Sequence, residues 1–118
     1  MSHYSLLVNS LKLLNLPYED QRKILPDFVS DIQDDIVSDF DNSFMLLPQL
    51  TEQEKVSYEA VKLILNCYVL IEMNLSNPEL PERAFENHKS WARVRDLAKQ
   101  ALSEMKEELS HPDNIGID

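Results

Sequence analysis

The sequence predicts an all-α protein, a single-domain irregular bundle of about five helices, on three observations. Its 118 residues include one glycine, Gly116, so turns that require a positive φ are scarce and Asn-Gly or Gly-X hairpins are missing. Six prolines, Pro17, Pro26, Pro48, Pro78, Pro81 and Pro112, punctuate the chain instead. Between them the apolar residues recur at the three- and four-residue steps of a helix.

The first block, about Tyr4 to Leu14, places Leu7, Leu11 and Leu14 on one side. Asn15 ahead of Pro17 reads as the cap of a short helix reaching Leu25. An acidic helix is expected from Asp27 to Leu47, with Phe28, Ile32, Ile36, Phe40 and Phe44 at a constant four-residue step. Each such step advances about 40° around a helix, so a bend near Asp41 to Ser43 is expected. Thr51 and Glu54 have capping-box spacing and open the longest block, to about Leu75. Apolar residues there cover most of the circumference, the pattern of a helix surrounded by others. After the loop SNPELPE and a short turn at Arg83 to Phe85, a last helix spans about His88 to Leu109. It carries Trp91, Val94, Ala98, Ala101, Leu102, Met105 and Leu109 as one stripe, with Arg93, Lys99 and Lys106 outside it. Residues 1–110 read as one domain and residues 111–118 as a loose tail.

Charge narrows the functional classes. The chain holds 21 acidic and 11 basic residues, a formal charge of −10. Between Lys23 and Lys55 there is no Lys or Arg, while eight acids fall there. Such a surface repels nucleic acid and anionic membrane and attracts a basic partner. No segment has the length of a membrane span, and the N-terminus lacks the pattern of a signal peptide, so a cytoplasmic location is expected. The single cysteine, Cys67, lies in the apolar run VKLILNCYVLI and reads as a small buried hydrophobe. Its neighbour Asn66 reads as a core or interhelical hydrogen bonder.

The chemical motifs argue for a binder and against an enzyme. From Asp39 the run DFDNSFMLLPQL lacks the glycine and the terminal glutamate of a calcium loop. His3, His88 and His111 share no zinc spacing with Cys67, and there is no glycine-flanked serine or phosphate-binding glycine loop. No cofactor is implied. The acidic groups Asp31, Asp34, Asp35 and Glu104, Glu107, Glu108 have the spacing of a helical Mg²⁺ site. That pattern resembles the all-α nucleotide pyrophosphohydrolases, which leaves a Mg²⁺-dependent hydrolase as an alternative. Solvated helix faces are the simpler account.

The aspartates themselves carry the functional reading. Asp27, Asp31, Asp35 and Asp39 share a four-residue step, and on one helix three such like-charged pairs cost roughly 1 kcal/mol. A solubility face alternating Glu with Lys avoids that cost, so one sign implies a cationic partner. The run LPDFVSDIQDDIVSDFDNSFMLLPQL, followed by LSNPEL and WARVRDLAKQAL, resembles the small acidic helical immunity proteins of bacterial toxin systems, including contact-dependent growth inhibition systems, over about residues 14–102. The resemblance implies a stoichiometric inhibitor of a cognate toxin domain, often a basic nuclease. The expected contacts are Asp31, Asp34, Asp35, Asp39 and Asp41, with Phe44 as an aromatic anchor and Glu19 and Asp20 extending the patch. An inhibitor that mimics nucleic acid and binds a DNA-binding protein would use the same face.

Overall fold

The computed structural model describes residues 2–107 and Pro112. Among the described residues the chain is helical with no strand, in seven segments: α1 His3–Asn15, α2 Tyr18–Ile24, α3 Ile32–Phe44, α4 Leu47–Glu52, α5 Tyr58–Leu75, α6 Ala84–Asn87 and α7 Lys89–Glu104. The all-α expectation holds, and the two segments beyond the expected five are the short α4 and the single turn α6. The tail, apart from Pro112, and Leu109 lie outside the described residues.

The four longer helices close a ring around one core. α7 packs most extensively on α5 and then on α1, α1 packs on α3, and α3 meets α5 again over a smaller area. Leu7, Leu11 and Leu14 of α1, Ile36 and Phe40 of α3, Ile64, Cys67 and Ile71 of α5, and Val94, Ala98 and Leu102 of α7 meet inside the ring. Tyr4 at the start of α1 donates its hydroxyl to Glu107 Oε2 beyond α7 at 2.8 Å.

α5 departs from its expected role as a helix enclosed on all sides. Only the face of Ala60, Ile64, Cys67, Ile71 and Asn74 is buried, whereas Leu65, Val69 and Met73 are 47%, 46% and 62% exposed. Asn66 is exposed as well. The buried amide is Asn74, whose Nδ2 donates to Ser90 O at 3.1 Å.

Helix ends account for the remaining differences. Asn15 does not start α2; its Nδ2 donates to Lys12 O at 2.7 Å and closes the end of α1. Thr51 does not start α5 either, because Ser57 caps that helix through Ala60 N, while Thr51 Oγ1 donates back to Leu47 O. α4 is closed by Glu54, two residues past its end, which has φ of 59°, with Glu54 N donating to Thr51 O and Lys55 N to Leu50 O. α7 ends the same way, with Lys106 at φ of 60° and bonds from Lys106 N to Ser103 O and from Glu107 N to Leu102 O. Both are Schellman closures, whose left-handed residue is usually glycine. A residue with a Cβ pays about 1 kcal/mol there, and glycine's freedom in the unfolded chain returns part of that. Glu54→Gly and Lys106→Gly are each expected to raise stability by roughly 0.5 kcal/mol, read as a rise in the urea midpoint at constant slope.

One polar group ties the ends of several helices together. Arg95 Nε donates to Leu16 O at 2.9 Å, and its Nη2 donates to Gln21 Oε1 at 3.0 Å and Phe85 O at 2.9 Å. Its guanidinium also lies 4.7 Å from the Phe85 ring centroid. Gln21, fully buried, sends Nε2 to Leu13 O and Leu14 O. Burial lowers the Arg95 pKa to about 10. Three good acceptors hold a charge that has been taken partly out of water.

Candidate functional site

The acidic segment folds differently from a single long helix. Pro26 to Val29 form a turn closed by Val29 N to Pro26 O at 3.0 Å, and α3 begins only at Ile32. Asp31 is its N-cap, with Oδ1 accepting from Asp34 N at 2.9 Å. Such a cap is worth about 1 kcal/mol. Asp34 and Asp35 occupy the first turn, where the helix dipole favours negative charge by about 0.3 to 1 kcal/mol each. The like-charge cost anticipated for an aspartate row therefore largely disappears: Asp27 is outside the helix, Asp31 caps it, and only Asp35 and Asp39 remain a within-helix pair. The helix also runs unbroken through Asp41 to Ser43, because its apolar face is carried by Ile36, Val37 and Phe40 rather than by Phe28.

The expected contact residues consequently divide into three groups. Asp31, Asp34 and Asp35 are exposed at the start of α3. Asp39 is exposed as well but lies at the edge facing α1, where Ser10 Oγ donates to its Oδ2 at 2.7 Å and also pairs with Ser43 Oγ at 2.6 Å. Loss of solvation raises the Asp39 pKa, the Ser10 bond pulls it down, and the charge of Asp35 raises it. Asp41, two residues on and so about 160° around the helix, lies at the edge facing α5. Its Oδ1 is buried with no hydrogen-bond partner, and loss of solvation, then the charge of Glu72, raises its pKa. Asp39 and Asp41 thus flank α3 and do not extend the acidic tip. On α2, Glu19 is exposed and Asp20 half-buried.

The two raised aspartates give the molecule a pH dependence of definite sign. Each folded-state pKa lies above 3.8, so the folded state binds more protons than the unfolded one in the window just above that value. Their contribution is most favourable below that window and is lost as pH rises through the folded pKa. Asp41→Asn removes one of these charges and its repulsion with Glu72. It is expected to raise stability at neutral pH by roughly 0.5 to 1 kcal/mol and to flatten the fall in stability above pH 4, both measurable by urea titration across pH.

The aromatic expectation is corrected in the same way. Phe44 is not an exposed anchor: it is half-buried and stacks on Tyr68 with ring centroids 4.3 Å apart. Phe28, expected on the apolar stripe of the acidic helix, is 84% exposed in the turn between Asp27 and Asp31. Burying a Phe side chain is worth roughly 1.5 to 3 kcal/mol, and the fold forgoes that here. The dipeptide Pro26-Asp27 is itself a turn signal and, given that weight, would have taken Phe28 out of the helix. Phe40 is fully buried.

No family model, curated protein or solved structure matches the chain.

Other constellations are accounted for locally. Among the described residues no three His, Cys, Asp or Glu side chains converge on a point that would hold a metal ion; Glu108 lies outside them. Cys67 is fully buried, its Sγ is 3.6 Å from Val94 O, and burial pushes its thiol up to about 12, so it is held as the inert thiol. Of the basic residues on α7 and at its closure, Arg93, Lys99 and Lys106 are exposed and Arg95 turns inward. Ion pairs join Lys62 to Glu59 and Arg83 to Glu86, and neither involves a carboxylate of 27–41. A cleft of about 540 Å³ runs beside the acidic tip between α2 and α6, lined by Arg22 and Arg83 together with Asp31, Glu82 and Glu86. Among the described residues no helix is long and apolar enough to cross a membrane.

Proposed function

We propose that this chain is an immunity protein that binds and neutralises a basic bacterial toxin domain, and that the contact is made by the acidic tip of α3. The observation that carries this reading is the segment Asp27 to Asp35. It presents an 84% exposed Phe28 with Asp27, Asp31, Asp34 and Asp35 around it in sequence, all of them exposed. An aromatic side chain surrounded by carboxylates suits a cationic protein surface: the ring provides apolar burial and the charges provide orientation and encounter rate. A nuclease must present a positive groove to phosphates, and a net charge of −10 steers the inhibitor towards it. The helix dipole and the Asp31 cap stabilise the negative charge at the tip before any partner arrives.

The test is binding, by titration calorimetry, to the C-terminal domain encoded immediately upstream, together with survival of cells expressing both chains. A tight one-to-one complex and rescue are expected. Equal affinity for unrelated basic proteins would indicate a general nucleic-acid mimic, and nucleotide turnover with Mg²⁺ would indicate the hydrolase.

A further inference from the structure

The outer face of α5 has a spacing of its own. Tyr58, Lys62, Leu65, Val69, Glu72 and Ser76 follow alternating steps of four and three residues, the seam by which one helix packs along another. Among the described residues no element covers this seam: Tyr58, Leu65 and Val69 are 75%, 47% and 46% exposed, and Lys62 and Glu72 are exposed. Leu65 and Val69, flanked three residues out by charges of opposite sign, Lys62 and Glu72, are complementary to a reversed copy of the same face.

We infer that α5 pairs antiparallel with α5 of a second copy about a two-fold axis at Cys67. Antiparallel packing sets alternate seam positions against each other, and a two-fold repeats every contact. With the axis at residue 67, Leu65 meets Val69 of the second copy and Lys62 meets Glu72 of the second copy, each twice. In the flanking row Val61 comes beside Leu75 of the second copy, itself 46% exposed. Val61 lines an apolar groove of about 330 Å³ with Phe44, Met45, Leu47, Pro48 and Thr51, which gives that leucine a seat. Any other centre along the seam sets Lys62 against an apolar side chain or leaves Glu72 without a cation.

Charge supports the same occupant. Glu72 and Asp41 form a like-charged pair at one end of the seam, with Asp41 Oδ1 lacking a partner. Lys62, at the other end, makes only a loose 3.9 Å contact with Glu59 and lies 5.8 Å from the Tyr58 ring centroid. The two-fold brings that ammonium to the exposed Glu72 of the opposite copy and so offsets its repulsion with Asp41. The repulsion of two chains of −10 is screened beyond about 8 Å at physiological ionic strength, and facing groups lie within that distance.

The test is sedimentation equilibrium of the full chain alone, from micromolar to millimolar concentration, so its outcome does not depend on the toxin reading. The unsubstituted chain is expected to dimerise. Lys62→Glu and Glu72→Lys are each expected to weaken the dimer by roughly ten- to a hundredfold, since every contact occurs twice. The double exchange Lys62→Glu with Glu72→Lys is expected to restore it. Both positions are exposed, and helical circular dichroism verifies that each of the three variants folds. A monomer throughout the concentration range, or a dimer indifferent to the single reversals, or one not restored by the exchange, would overturn the pairing.

Discussion

Arg95→Ala is expected to lower the unfolding free energy by about 3 to 5 kcal/mol, the largest loss of any single substitution outside the apolar core. The guanidinium spans the carbonyl of Leu16 at the α1–α2 corner, the side chain of Gln21 in α2 and the carbonyl of Phe85 in α6. Removing it strands three acceptors, two of them backbone carbonyls in a packed corner, and each such acceptor costs about 1 to 3 kcal/mol. The stacking on Phe85 is lost as well. Against a total of about 5 to 15 kcal/mol, the variant stays folded only at low temperature. Arg95→Lys is expected to recover less than half of the loss, because one ammonium has no fork with which to reach separate acceptors. Chemical denaturation of the two variants measures both values, and a loss below about 1 kcal/mol for Arg95→Ala would remove Arg95 as the tie between these elements.

The second large effect falls on binding. Combining Phe28→Ala with Asp34→Lys and Asp35→Lys is expected to weaken the cognate complex by at least about a thousandfold. Phe28→Ala alone removes the aromatic anchor, a class of side chain that accounts for 2 kcal/mol or more at hot spots, and is expected to act on the dissociation rate. The two lysines act on encounter, lowering the association rate by roughly ten- to a thousandfold at low salt, with much less effect at high salt. They also oppose the α3 dipole by up to about 1 kcal/mol each, so thermal unfolding is measured alongside binding. Phe28→Ala has no such cost, since its ring makes little use of the core. Asp39→Lys, by contrast, is expected to act mainly through folding, because it breaks the bond with Ser10. Unchanged affinity in the triple variant would move the contact away from the tip of α3.

The stripes of α1 and α7 were legible because helix periodicity and burial coincide: Leu7, Leu11, Leu14, Trp91, Val94, Ala98, Ala101 and Leu102 are all buried. The inertness of Cys67 was legible for the same reason. The four-residue step of Phe28, Ile32, Ile36, Phe40 and Phe44 misled, because Phe28 belongs to a turn and Ile32 and Phe44 sit at the helix edges. Capping residues misled too: Asn15 and Thr51 offer side-chain groups that serve the end of one helix as readily as the start of the next. Periodicity also cannot distinguish an apolar face that meets the protein's own core from one left uncovered, so α5 read as enclosed.

The sequence by itself determined that the fold is helical, through one glycine, spaced prolines and apolar steps of three and four, and that its field is negative between Lys23 and Lys55. Those properties are local or additive, and each residue contributes without reference to distant ones. Only the tertiary structure decided which aspartates face water, that Phe28 and not Phe44 is exposed, and that Arg95 turns inward to three acceptors. These depend on which element comes to lie against which, and so on contacts between distant residues, such as Arg95 and Leu16, 79 positions apart.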